Sequence, residues 1–220
     1  MAHEELLART DFFAESPASV VKDVAATGAE LHLVRGDVLF REGDRAEALY
    51  LMVSGRIAIV ITNPVDHRET VVALMDRGDL FGEMAMLDDG PRSATARALE
   101  PSVVVAIPFD PIVRLFRSDP AMLWGVTRLL ARRIRVMDEA LADSVFLDVM
   151  GRTAKRLLEL SEDRDDFTLP ITQEELAGMV GASRERVNKA IGSFIRLGWI
   201  EQRDRHYLIH KRDALELRAR

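Results

Sequence analysis

Between Pro120 and Gly151 the chain carries no proline, and no glycine except Gly125, and this stretch constrains the fold most. Pro120 suits the first turn of a helix, where its missing N–H has no bond to lose. Leu123, Thr127, Leu130, Ile134, Met137, Leu141 and Ser144 follow at alternating steps of four and three. Five of those seven are apolar, which is the a/d seam of a coiled coil. A second stripe, Met122, Val126, Leu129, Val136 and Ala140, runs beside it, and Arg133 interrupts it. A helix with two apolar faces needs two partners. One face is expected to pack on the rest of the chain and the other on a second copy of itself, so the reading is a homodimer.

Upstream the period changes. Over residues 29–108, short runs of Val, Ile, Leu and Thr alternate with Arg35-Gly36-Asp37, Glu42-Gly43-Asp44, Ser54-Gly55-Arg56, Asn63-Pro64, Arg77-Gly78-Asp79 and Asp89-Gly90-Pro91. Strands spaced by roughly 8–12 residues and closed by glycine or proline indicate a β-sandwich or barrel. A chain of 220 residues has room for more than one core. It contains no cysteine, which excludes disulfides, thiolate zinc sites and cysteine-ligated iron–sulfur clusters. Apolar runs such as residues 103–107 are far below the ~20 residues of a membrane helix. The opening stretch MAHEELLARTDFF has neither a basic head nor an apolar core, so no export signal is read and a cytoplasmic protein is expected.

Charge divides along the chain. Residues 1–118 hold 12 basic and 19 acidic side chains, a net −7, whereas residues 167–220 hold 10 and 7, a net +3. A bound polyanion is expected at the C-terminal end. There the sequence reads ITQEELAGMVGASRERVNKAIG from Ile171. Thr172 and Glu175 form a capping box for a helix starting at Gln173, with Leu176, Ala177 and Val180 facing inward. Gly181 permits the positive φ of a tight turn, and Ser183 caps the next helix. In that helix Val187, Ala190, Ile191 and Phe194 form the buried stripe. This pattern is a helix-turn-helix, whose second helix enters the major groove. Its outward Arg184, Glu185, Asn188 and Lys189 carry base-reading chemistry: arginine suits guanine O6 and N7, and glutamate accepts from cytosine N4. Upstream, Asp148 caps a helix over residues 149–161, and residues 162–166 form an acidic loop. Downstream, residues 199–202 and 206–210 flank Arg203-Asp204-Arg205 as a wing hairpin.

A second site lies in FGEMAMLDDGPRSATAR, residues 81–97. Gly82 permits close backbone approach, and residues 83–87 suit one helical turn whose free N–H groups favour a phosphate. Arg92 and Ser93 follow the Gly90-Pro91 turn with a guanidinium fork and a hydroxyl for the same anion. Glu83 would repel a phosphate. It makes sense as an acceptor from sugar hydroxyls, or as an ion-pair partner of Arg133.

A sandwich, a long helix and a winged helix-turn-helix, in that order, resemble the CRP/FNR family of bacterial transcription regulators. The cyclic AMP receptor branch is especially similar, through FGE-x-A-x-L with PRSAT, GASRERVNK and ARRIRVMDEALADSVFLDVMGR. The resemblance spans about Leu6 to Leu217. It implies an α+β chain with a β-sandwich or jelly-roll cyclic-nucleotide-binding domain at 1–118. A dimerisation helix and hinge would occupy 119–147, and a winged helix-turn-helix 148–220. It further implies a nucleotide site of Gly82, Glu83, Met84, Arg92, Ser93, Arg133, Met137 and Asp138. Glu83 would hold the ribose 2′-hydroxyl, Arg92 and Ser93 the cyclic phosphate, and Arg133 would support the pocket.

Met137 and Asp138 stand where the receptor's Thr-Ser pair meets adenine. Asp138 can accept from the adenine amino group, or from guanine N1–H and N2–H if the base turns. Cyclic AMP therefore comes first, with cyclic GMP, cyclic di-GMP and no nucleotide left as alternatives. The DNA-facing set is Thr172, Ser183, Arg184, Glu185, Asn188 and Lys189, reading palindromic TGTGA-like half-sites. Lys189 replaces the receptor's second reading arginine and gives up a bidentate contact. RNA polymerase is an expected partner, and no membrane is. An enzyme is not expected. His3, His32, His67, His206 and His210 are scattered without a His-x-His, so no metal is assigned.

Overall fold

The computed structural model describes the chain except for Met1, Glu15, Asp66 and Arg68 and the side chain of Ala2. Backbone packing separates two compact units, residues 1–62 with 72–135, and residues 63–71 with 136–220.

The first unit opens with α1 (Ala2–Ala8) and α2 (Ala18–Ala26). The strands follow: β1 (Ala29–Leu33), β2 (Val38–Phe40), β3 (Ala48–Ser54), β4 (Ile57–Thr62), β5 (Glu69–Met75) and β6 (Leu80–Phe81). One turn of helix, α3 (Met84–Leu87), precedes β7 (Thr95–Ala98), β8 (Ser102–Pro108) and α4 (Phe109–Ser118). The strands form two four-stranded sheets, ordered β1-β8-β3-β6 and β2-β7-β4-β5. Met52, Ile57, Phe81, Ala96, Ala98 and Val104 fill one core between them. A second core joins Leu49, Leu51, Val105 and Ile107 to Leu7, Phe12, Phe13 and Ile112 of the flanking helical segments. The regular turn glycines foretold this sandwich: Gly36, Gly43, Gly55 and Gly78 take the positive φ of tight turns, while at Asp89-Gly90-Pro91 it is Asp89 that does so.

The long helix, α5 (Leu123–Phe146), follows a 3-10 turn over Pro120–Met122. Met122 and Val126 are buried in the second core, and Leu129 packs against it. Gly125 is needed there, since a Cβ would stand 2.7 Å from the Phe12 carbonyl oxygen and 2.8 Å from that of Asp11. The expected stripe ends sooner than its spacing implies. Val136 and Ala140 are exposed, because beyond Leu129 the buried partner on that side is the carboxylate that Arg133 meets. The seam stays exposed along its whole length in the single chain, from Leu123 at 41% to Met137 at 69% and Leu141 at 64%.

The second unit continues with α6 (Val149–Ser161), β9 (Asp166–Thr168), α7 (Gln173–Val180) and α8 (Arg184–Arg196). It closes with β10 (Ile200–Arg203), β11 (His206–Ile209) and α9 (Arg212–Arg218). Asp148 caps α6 as expected, its Oδ1 accepting from the Gly151 N–H at 2.8 Å. Two expectations are corrected. The acidic loop ends at Asp165, because Asp166 pairs with Leu208 and adds a third strand in the order β10-β11-β9. The wing turn has two residues rather than three, because Arg203 pairs directly with His206 and leaves Asp204 to take φ 56°. Among the described residues, no helix is long and apolar enough to cross a membrane.

Candidate nucleotide and DNA sites

β6 ends at Phe81, and Gly82 turns the chain at φ 80° into α3. A Cβ on Gly82 would stand 2.7 Å from Arg92 Nη1, so glycine serves both the turn and the contact. Glu83 sits at the helix start with no side-chain cap bond, its carboxylate wholly buried. One oxygen pairs with Arg133 Nη1, and Arg133 Nη2 donates to the Leu80 carbonyl at 3.0 Å. The expected Glu83–Arg133 pair is thus present, and it uses only half the carboxylate. Oε2 is buried without a partner. Burial pushes the Glu83 carboxyl above its ordinary range, and Arg133 pulls the other way.

Arg92 is buried to 4% exposure. Its Nη1 donates to the Gly82 carbonyl at 2.8 Å and its Nη2 to the Ala48 carbonyl at 2.6 Å. Its guanidinium carbon lies 4.2 Å from the centre of the Phe40 ring, while Nε is buried without an acceptor. Burial draws its pKa below the ordinary arginine value. Among the described residues no carboxylate is within ion-pair reach of Arg92; Asp44 and Glu83 act on it through space. Ser93 is exposed, its hydroxyl donating to the Met84 sulfur at 3.8 Å. Gly82, Glu83, Met84, Arg92, Ser93 and Arg133 all belong to the first unit. Met137 and Asp138 lie exposed on α5, four and five residues past Arg133, in the second unit.

The helix-turn-helix is built from short-range bonds. Thr172 Oγ1 accepts from the Glu175 N–H at 3.2 Å, and Glu175 Oε2 accepts from the Thr172 N–H at 2.7 Å, completing the capping box. Gly181 takes φ 67°, and Ser183 Oγ accepts from the Arg186 N–H at 3.4 Å. Leu176, Ala177, Val180, Val187, Ala190, Ile191 and Phe194 are all buried. That leaves Arg184, Glu185, Asn188 and Lys189 exposed, together with Arg186.

Long-range contacts escaped the sequence. Nothing near Arg92 announces Phe40 or the Ala48 carbonyl. Nor does Arg152 betray that its Nε donates to the Val180 carbonyl at 2.8 Å and its Nη1 to that of Leu147 at 2.6 Å. The first bond ties the start of α6 to the end of α7, and the second ties it to the residue that precedes the α6 cap. The histidines are less scattered than their spacing implies, for His3 and His32 lie 3.0 and 2.9 Å from the two oxygens of Glu30. Even so, among the described residues no three His, Asp or Glu side chains are arranged to hold a metal.

Comparison with known proteins agrees with both ends. Residues 30–119 match the cyclic nucleotide-binding domain and residues 151–218 the Crp-like helix-turn-helix domain. The chain is 35% identical over 224 residues to the CRP-like cAMP-activated global transcriptional regulator of Mycobacterium tuberculosis, covering 99% of this chain and 100% of that one. The crystal structure of Thermus thermophilus catabolite activator protein matches at TM-score 0.54 and 30% identity, over 96% of this chain and 98% of that one. The c-di-GMP responsive global regulator CLP of Xanthomonas campestris shares the fold at TM-score 0.76 and 23% identity, over 88% and 99% of the two chains. A cyclic nucleotide-binding domain joined to a helix-turn-helix makes a DNA-binding transcription regulator. The chain belongs to the CRP/FNR family of these regulators.

Proposed function

We propose that the protein is a homodimeric, sequence-specific regulator whose DNA binding is controlled by cyclic AMP. The observation that carries this reading is a buried guanidinium with no carboxylate partner among the described residues, in the same cassette as a buried carboxylate oxygen with no donor among them. Both are costly unless a ligand completes them. A cyclic nucleotide supplies the phosphodiester anion and the ribose 2′-hydroxyl that do so.

In this reading Glu83 Oε2 accepts from the ribose 2′-hydroxyl while Oε1 keeps its pair with Arg133. Arg92 and the exposed Ser93 hydroxyl hold the phosphate, and Gly82 and Met84 let the backbone close on it. Met137 and Asp138 meet the base, with Asp138 accepting from the adenine amino group. A guanine base, as in cyclic GMP or cyclic di-GMP, is the second reading, because Asp138 equally suits its N1–H and N2–H.

The exposed seam of α5 supports dimerisation through a parallel copy. Dimerisation sets the recognition helices about one DNA turn (~34 Å) apart, to match a palindrome of TGTGA-like half-sites. Arg184, Glu185, Asn188 and Lys189 read bases, while Thr172 and Ser183 fix the helix starts against the DNA backbone. Control requires the nucleotide to bind one arrangement of the paired helices more tightly than the other. The same reading keeps the domain limits 1–118, 119–147 and 148–220, a cytoplasmic location and a surface contact with RNA polymerase.

Calorimetric titration with cyclic AMP, cyclic GMP and cyclic di-GMP tests it. The expected result is tight binding of cyclic AMP, one per subunit. Preference for a guanine nucleotide selects the second reading, and no heat from any of the three contradicts nucleotide control.

A further inference from the structure

Phe40 lies far from the cassette in sequence, yet its ring faces the Arg92 guanidinium at 4.2 Å. Tyr50 and Phe109 close the cradle at 5.3 and 5.9 Å. Phe40, Tyr50 and Phe81 in turn pack together, with ring centres 5.5 to 6.3 Å apart, so the cradle is part of the sandwich core. Two carbonyls, of Gly82 and Ala48, fix the rotation of the guanidinium within its plane. An arginine so placed has given up its rotamer freedom before any ligand arrives. A cation over an aromatic face, away from water, is also held there by the ring quadrupole.

We propose that Phe40 is a positioning residue for phosphate recognition, acting through Arg92. The inference rests on reading the cassette as a nucleotide site. Without the ring, the guanidinium loses its face contact and drifts toward water, and a ligand phosphate must re-order it.

Two measurements on the full-length protein test the idea. The first needs no nucleotide: the Arg92 guanidinium resonances are followed by nitrogen-15 NMR. Wild type and Phe40→Tyr are expected to show separate, slowly rotating Nη signals, and Phe40→Leu a single averaged one. An averaged signal in wild type, or separate signals in Phe40→Leu, overturns the cradle whether or not nucleotide binds. The second is titration with cyclic AMP and cyclic GMP. Phe40→Leu is expected to weaken binding about 3- to 30-fold and Phe40→Tyr to restore it. In an Arg92→Gln background the same change is expected to have no further effect. An equal loss in that background shows plain packing and overturns the proposal. Tighter binding by Phe40→Leu also overturns it, by showing that the ring withholds Arg92 from the ligand. If wild type binds neither nucleotide, the function reading fails, and the NMR result alone decides the cradle.

Discussion

The helix-turn-helix turns its charges outward and closes its caps with local hydrogen bonds, leaving one neutral amide oxygen, Gln173 Oε1, buried without a partner, whereas the cassette buries the charged Glu83 and Arg92 and leaves one polar atom of each without a partner. Thr172, Glu175, Gly181 and Ser183 each satisfy a need a few residues away. Glu83 depends on Arg133, 50 positions away, and Arg92 on Ala48 and Phe40, 44 and 52 positions away. A reading surface can be built as a finished local part. A sensing site gains by being incomplete, because unsatisfied buried groups give a ligand something to repair. Stability is expected to concentrate at the DNA end and ligand response at the cassette.

The strongest way to break this contrast is Arg92→Leu. Nucleotide affinity is expected to fall on the order of 100-fold or more in titration, since a charged bidentate contact is lost. Circular dichroism and the mass of the native assembly should stay as in wild type. An undiminished nucleotide response would move the ligand site elsewhere.

At the other end, Glu185→Ala should relax preference at one base pair by about 1–3 kcal/mol, read by competition among base-substituted operators. Uniform weakening on every sequence would mean that Glu185 reads no base.

Glu83→Gln separates stability from response. Burial holds the Glu83 carboxyl above its ordinary 4.5, so the folded state binds that proton more tightly than the unfolded state. Stability therefore falls as pH rises from about 4.5 through the elevated pKa. Ligand affinity rises over the same window, as the accepting carboxylate forms. The Gln variant should lose both slopes, bind nucleotide about tenfold more weakly and unfold no more easily at neutral pH. Denaturant melts and titrations across pH read this, and a variant that keeps either slope assigns it to another group.

The smallest effect belongs to Thr172→Ala. Loss of the cap should cost about 1 kcal/mol in denaturant unfolding and leave nucleotide affinity unchanged. A fall in nucleotide affinity would show that the two ends are coupled through the cap itself.

What the sequence disclosed follows the same division. The helix-turn-helix was legible to the residue, from Gln173 and Arg184 at the helix starts to the glycine between, because caps and turns are local chemistry. The sandwich was legible as a class, through its turn glycines, but not in its strand order, which depends on pairings such as β1 with β8. The seam of α5 was legible by period, though its neighbouring stripe lost burial after Leu129 where the packing partner changes. In the cassette, Glu83 with Arg133 could be guessed from complementary charge. The cradle around Arg92 could not, since no spacing rule links a phenylalanine on β2 to an arginine after α3. The short β9 was hidden because it begins on the last residue of an acidic run whose composition reads as loop.

The central claim is that a ligand at the buried cassette governs a DNA-reading surface whose helix caps and turn are already in place. Fluorescence anisotropy of a labelled palindromic TGTGA-type operator, measured with and without cyclic AMP, tests it most directly. The account predicts weak binding by the unliganded protein, tightened at least tenfold by cyclic AMP, with the gain absent in Arg92→Leu. Equal operator affinity with and without cyclic AMP, cyclic GMP and cyclic di-GMP would contradict it.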